Sequence, residues 1–496
     1  MAPQCLVVDL GGGSIKFGLS SVKVPRCVDN CIYKSKNVTG RNFIGSEIEE
    51  CKNLSSLFGI YPFKKGYINN WDTQKQILDS VLCRYINSRS LDMASLNLFI
   101  TEPYFNFTST KETMNELFFE EYRVAGLLRT NPAFFAAYKY RAESSQRLSR
   151  YSLIIDSGYS FTHILPMADG NIMREFALRY NKTFEFIFTR LSVGGKILTN
   201  RLIEVTSYRQ LDVRSEVYIM NQCKEDGCFV STDFWADLTC AKSRDLSVNT
   251  IAREYVLPDY IDVHRGYLRD PSEKPKDAVD RTKLQGYILR LSNERFTVPE
   301  LLFHPSDVGY TEMGISEAAQ YLLTERLPPG VRPGAMANVL LIGGNSKFSG
   351  YKERVLNDLR SCVPHDLPVN VCAPPELLGR LLQRRHETYC ARCELSKCRC
   401  MQAVFKAARV MGVQEEEEVE AEEAKGGRGG VLRIWTSLPA GKSAAATQSA
   451  YYPQLYAWQG GALLASNRDD FDQYLVTRRE YEENGHAYCE SRFPVT

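Results

Sequence analysis

No run of about eighteen apolar residues occurs in the 496-residue sequence, so no membrane-spanning helix is expected. The start, Met1-Ala2-Pro3-Gln4-Cys5, lacks a basic stretch followed by an apolar core, and no secretory signal is expected there. An excess of charge of one sign is missing too: 61 Lys plus Arg stand against 59 Asp plus Glu, a net charge of +2. Nucleic-acid binding therefore cannot rest on bulk electrostatics and would need a local patch or a partner. Fifteen cysteines, an odd number, argue against a closed disulfide framework. Most stand in apolar runs, as Cys5, Cys83, Cys228 and Cys240 do, and are expected to be reduced and buried. A composition of 44% apolar and 24% charged residues is ordinary for a globular protein and excludes wholesale disorder. The chain is too long for one compact core and suits two or three lobes.

From Met1 to about Cys372, short β-branched runs alternate with helical patterns, which predicts an α/β architecture. Residues 375–450 read differently. They open on a basic stretch, Leu377 to Arg385, and pass through Cys390 to Cys400. An acidic run from Glu415 to Glu423 follows, then Gly426-Gly427-Arg428-Gly429-Gly430 and a Ser/Ala-rich end. Like-charge blocks and glycine tracts bury too little apolar surface to offset their ordering entropy, so a largely disordered insertion is expected. Order should return from Tyr451, ahead of Tyr456-Ala457-Trp458-Gln459-Gly460-Gly461.

Three segments share one grammar, an apolar strand running into a polar, Gly-containing turn. They are Cys5–Asp9 before Leu10-Gly11-Gly12-Gly13-Ser14-Ile15-Lys16, Leu153–Asp156 before Ser157-Gly158-Tyr159-Ser160-Phe161-Thr162-His163, and Val339–Ile342 before Gly343-Gly344-Asn345-Ser346. Glycines let backbone N–H groups approach phosphate oxygens, and a lysine over the loop adds a point charge. An aspartate at the end of each of two strands can hold the waters of a hydrated magnesium ion. One such segment alone is more often a tight turn. The ordered trio is far more specific.

The trio resembles the phosphate and adenosine segments of the actin/Hsp70/hexokinase superfamily. Tyr61-Pro62-Phe63-Lys64-Lys65-Gly66, Asn70-Trp71-Asp72, Thr101-Glu102-Pro103 and Trp458-Gln459-Gly460-Gly461 narrow the resemblance to actin. Glu102 to Ser109, Asp156 to His163, Tyr208-Arg209-Gln210-Leu211, Asn293 to Asp307 and Glu482-Glu483-Asn484-Gly485-His486 resemble the nuclear actin-related proteins of histone-exchanging remodellers. The resemblance implies an actin-like two-lobed ATPase fold of duplicated ribonuclease-H-like domains. Residues 1–149 and 451–496 would form the first lobe, with a small subdomain at about 31–66. Residues 150–374 would form the second, with a small subdomain at about 189–284. It further implies that Gly11, Gly12, Gly13 and Lys16 meet the phosphates of ATP or ADP. Asp9 and Asp156 would face magnesium through water, with Gly158 and Ser160 beneath the phosphates. Lys224 and Glu225 would line the adenine pocket, a solvated helix face being the alternative, and Gly343, Gly344 and Phe348 would form the adenosine segment.

Departures from actin bear on mechanism. Ungapped alignment places Pro132 where actin keeps the glutamine that orients the attacking water, and proline offers neither a side-chain partner nor an N–H. Tyr159 stands where actin has an aspartate, and Asn221 replaces an arginine near the adenine. Binding without turnover is the expectation. His163 lies near the water path in the resemblance, although a histidine donating to a backbone carbonyl reads equally well. The loop that serves filament contact in actin is short here, at Asn37-Val38-Thr39-Gly40-Arg41-Asn42-Phe43, so polymerisation is not expected. Tyr104, Phe105 and Phe107 could face a partner or pack in the first lobe. Cys390, Cys393, Cys398 and Cys400, with His386 upstream, begin with a zinc-knuckle spacing but lack a second paired half, so zinc is not expected.

The resemblance thus implies a non-filamentous subunit of a nuclear SWR1-type remodelling complex that exchanges H2A for H2A.Z. Its implied partners are the remodeller ATPase, a small zinc-containing subunit and, through the complex, the nucleosome. The alternative is an active ATPase or sugar kinase of the same fold, which would want an acidic base in the cleft.

Overall fold

The computed structural model describes residues 4–35, 42–51, 57–143, 150–180, 186–188, 190–243, 245–246, 248–259, 263, 265–271, 288–363, 367–373 and 453–494. The expected insertion at 375–450, its cysteine cluster and residues 37–41 lie outside the described residues.

Strand β1 (Cys5–Leu10) is buried along its whole length. That is what its near-continuous apolar run requires of a strand covered on both faces. It pairs antiparallel with β2 (Ser14–Leu19), which pairs antiparallel with β3 (Arg26–Asp29). On its other side lie the parallel strands β4 (Asn97–Thr101) and β5 (Gly126–Thr130). Helix α1 (Pro132–Glu143) follows β5 directly. Asn131 caps it, accepting from the Phe134 N–H at 2.9 Å, and Pro132 occupies the first helical position, where an N–H has no helical partner to lose.

The second sheet repeats the plan. Strand β6 (Tyr151–Ser157) turns back antiparallel into β7 (Thr162–Ala168), which pairs with β8 (Asn171–Ile172). Helices α2 (Gly195–Arg209) and α3 (Val217–Gly227) come next. Then β9 (Val339–Ile342) joins β6 in parallel, and β10 (Val371–Cys372) joins β9. In each sheet the strand-ending aspartate sits opposite a basic or imidazole residue: Asp9 pairs with Lys16, Asp156 with His163. Leu6, Val8 and Ile15 anchor the core of the first sheet, and Leu153, Ile155 and Leu341 that of the second.

The C-terminal segment packs as expected. In α4 (Tyr456–Ser466), Trp458 is buried and its Nε1–H donates to the Val7 carbonyl at 2.9 Å. Gly460 lets α4 lie against α1, since a Cβ there would stand 1.9 Å from the Phe135 carbonyl oxygen. Strand β11 (Val476–Thr477) pairs antiparallel with β5 at the edge of the first sheet, and α5 (Arg478–Arg492) follows, broken at Gly485 (φ 69°).

Cys5 and Cys228 are buried, whereas Cys83 and Cys240 are only half-buried, contrary to expectation. Cys240 lies on a short helix, Phe234–Lys242, none of whose side chains is fully buried, so its apolar neighbours do not mark core.

Candidate functional site

The fold brings the three turns together. Gly11 closes the first with an N–H to the Ser14 carbonyl at 3.1 Å, and Gly158 closes the second with an N–H to that of Phe161 at 2.9 Å. The two loops touch. A Cβ on Gly12 would stand 2.8 Å from Ser160 Oγ, and one on Gly13 2.7 Å from the Tyr159 ring. The third turn locks onto the second, with Asn345 Nδ2 donating to Ser157 Oγ at 3.1 Å and to the Gly158 carbonyl at 2.8 Å. Gly343 adopts φ +92°, and a Cβ there would lie 2.3 Å from the Ser157 carbonyl oxygen. Gly344 faces open space. Gly12, Gly13 and Gly343 are held tight by the neighbouring loops and Gly344 is open; glycine turns of this kind present backbone N–H groups, the chemistry that phosphate oxygens accept from.

The flanking residues divide. Lys224 is buried, its Nζ donating to the Gly195 carbonyl (3.2 Å), Thr199 Oγ1 (3.0 Å) and Asn221 Oδ1 (2.8 Å). Burial lowers its pKa. A solvated face is thus wrong for Lys224, whereas Glu225 is exposed and accepts from Asn221 at 2.9 Å. Phe348 packs in the core of the second sheet.

Both carboxylates expected to face magnesium are engaged by the chain itself. Asp9 accepts from Thr101 Oγ1 at 2.8 Å and pairs with Lys16 Nζ at 3.1 Å. Burial works against the Lys16 charge, but Asp9 and further acidic neighbours outweigh it and raise its pKa. Asp156 Oδ2 accepts from the Tyr104 hydroxyl at 2.7 Å. Its Oδ1 backs onto Gly343, 2.7 Å from where a Cβ would stand. Burial first, then the charge of Asp9, lifts Asp156 to about 6 against the pull of Tyr104 and Lys16. A hydrated magnesium ion would compete with Tyr104 at Asp156 and with Thr101 and Lys16 at Asp9, so the pair as folded is poorly suited to the metal.

Of the two readings left open for Tyr104, burial is the one observed: it is only 4% exposed. Its ring lies 4.6 Å from that of His163. Phe105 is half-buried, and Phe107 alone of the three is exposed. His163 is held neutral, its pKa lowered to about 3 by burial and then by Arg190. Two further contacts join the expected lobes: Tyr61 stacks on Tyr159 at 6.0 Å, and Tyr33 meets Tyr218 edge-on at 5.4 Å.

Asp29, at the end of β3, accepts from Tyr33 at 2.9 Å. Burial raises it to about 6, with Glu225 adding to the rise and Tyr33 opposing it. An unfolded aspartate titrates near ~3.9, so between about pH 4 and 6 the folded state keeps a proton that the unfolded state has lost, and this group's contribution to stability falls as pH rises. Asp29→Asn is therefore expected to stabilise the protein, relative to wild type, more at pH 7 than at pH 4. Urea unfolding across that range checks this; a pH-independent difference contradicts it.

The sequence reading missed Thr101, Tyr104 and Asn345. Thr101 had a signal, because β4 runs parallel to β1 in a register that pairs Val8 with Ile100 and sets Thr101 beside Asp9. Asn345 had a weaker one, as the polar residue straight after Gly343-Gly344.

The actin family pattern matches residues 2–383 and 439–494, leaving 384–438 inside the expected insertion. Actin-related protein 6 of Drosophila melanogaster is 39% identical over 379 residues, covering 76% of this chain and 90% of the relative. Actin-related protein 6 of Neurospora crassa is 34% identical over 394 residues, covering 75% and 84%. That of Arabidopsis thaliana is 28% identical, covering 98% of this chain and 99% of its own.

Proposed function

This chain belongs to the actin family, in the branch of actin-related protein 6, and on that premise we propose that it is a non-polymerising structural subunit of a nuclear SWR1-type chromatin-remodelling complex. In this reading it holds ATP or ADP with little or no hydrolysis and supports nucleosome engagement during exchange of H2A for H2A.Z. The remodeller ATPase and a small zinc-containing subunit are its direct partners, and histone and DNA are met through the assembly. A ligand bound only by the folded state stabilises it in proportion to the logarithm of its occupancy, which is a sufficient role for the nucleotide.

The observation that carries the reading is a phosphate cradle with no hydrolytic flank. The glycine turns meet, while Pro132, which aligns with actin's water-orienting glutamine, stands at the head of α1 and the ring of Tyr104 lies against a neutral His163. In-line attack needs a positioned water, and neither Pro132 nor a donor-acceptor pair at His163 supplies one.

Purified protein loaded with ATP is expected to retain it and to release no phosphate above background in a single-turnover assay. Pro132→Gln alone is expected to restore none, because the Tyr104 ring still lies against His163. Turnover comparable to an active ATPase would reject the structural role and favour the enzyme. Affinity purification of the tagged chain, read by mass spectrometry, is expected to recover the remodeller subunits.

A further inference from the structure

The Tyr104 phenol is held from every side. It leaves the loop after β4, where Phe105 adopts φ 53°, and crosses to the end of β6. Its hydroxyl donates to Asp156 Oδ2. Its ring rests on His163, and its own carbonyl accepts from the Tyr67 hydroxyl at 3.5 Å.

Magnesium keeps most of its waters, so an aspartate that holds it indirectly sees a water O–H. Tyr104 presents a phenol O–H to the same carboxylate oxygen at an ordinary hydrogen-bond length. On the Asp9 side, the ammonium of Lys16 supplies positive charge and Thr101 the second donor. Three of the four carboxylate oxygens, both of Asp9 and Oδ2 of Asp156, already take a donor from the chain.

We propose that Tyr104 stands in for a metal-bound water at Asp156, so that the cleft holds a nucleotide without magnesium between Asp9 and Asp156. The affinity part of this inference rests on the nucleotide reading above; the part about Tyr104 and the metal does not. Tyr104 is a specificity-determining residue here: it selects the metal-free nucleotide and ties the two strand ends together whether or not a ligand is bound.

Two measurements on the full chain test it. Titration with fluorescent ADP in excess magnesium and in EDTA is expected to give wild-type affinities within about twofold, whereas Tyr104→Phe gains a preference for magnesium of ~10-fold or more. Electron paramagnetic resonance with manganese alone is expected to show no ion at this pair in the wild type. It should show one in Tyr104→Phe, lost again in Tyr104→Phe/Asp156→Asn. A wild type that loses affinity tenfold in EDTA, or binds manganese through Asp156, overturns the proposal, as does a Tyr104→Phe that gains neither property. If the wild type binds no nucleotide in either buffer, the nucleotide reading fails and the manganese result decides the role of Tyr104.

Discussion

Gly343→Ala is expected to destabilise the protein severely and to abolish nucleotide binding in whatever fraction still folds. At φ +92° an L side chain is already strained, at a cost of roughly 1–2 kcal/mol. The new Cβ would also stand 2.3 Å from a backbone oxygen, that of Ser157, and 2.7 Å from Asp156 Oδ1. Neither is the far end of a flexible chain that could swing away. Relief requires β6 and β9 to part where Asp156 and Ile342 pair, and overpacking of this kind adds about 1–3 kcal/mol. Gly344→Ala is the control. That residue has φ −69° and ψ −33°, with open space at its Cβ, so its substitution should be nearly neutral. Denaturant midpoints for the pair, with fluorescent ADP titrations alongside, check the contrast. Equal midpoints for the two variants would show that the third turn does not hold the second.

Trp458→Ala should be comparably damaging through a different cause. The indole is 1% exposed, fills a cluster with Val7, Phe99 and Phe135, and donates to the Val7 carbonyl. Truncating a buried tryptophan costs about 3–5 kcal/mol, because the cavity left behind collapses only in part. Here collapse is further limited by Gly460, which already holds α4 against the Phe135 backbone of α1, and by Gly461, which lies close to the Val7 and Phe135 side chains. Trp458→Phe keeps most of the apolar area and gives up the hydrogen bond, a loss of ~1 kcal/mol. Melting temperatures should therefore rank wild type, Phe, Ala with the wider gap at the second step. A small effect of Ala would mean that α4 is not essential to the first sheet.

What could be read in the sequence was whatever is local. Asp9 and Asp156 end strands whose apolar runs are unmistakable, and the glycines after them mark turns by their chemistry alone. The buried Trp458 helix stands out because it is apolar beside a long polar stretch. Tyr104 was not legible: Glu102-Pro103-Tyr104-Phe105 reads the same whether the phenol points to solvent or crosses to another strand. Only the closure that brings β6 within reach of that loop decides between them. Lys224 failed for a related reason, since Lys224-Glu225-Asp226 looks like a wet helix face until Gly195 and Thr199 of α2 provide oxygens for a buried ammonium. Asn221, noted first as the loss of an arginine, is one of the three groups that satisfy it.

The pairing of β11 with β5, and the bond from Trp458 to Val7 across 451 residues of chain, impose an order on synthesis. A growing polypeptide emerges N-terminus first, and domains tend to fold as units when their contacts are complete. The second sheet draws β6 to β10 from one continuous stretch, so its contacts are complete before α4 and β11 are made. The first sheet is not complete at that point: β1 to β5 must wait, with one edge unpaired and one face of β1 bare, until α4 and β11 have emerged from the ribosome. Sequence separation of that size slows assembly. β1 to β5 are therefore made early and become native late, and in the interval they expose an unpaired edge and apolar surface.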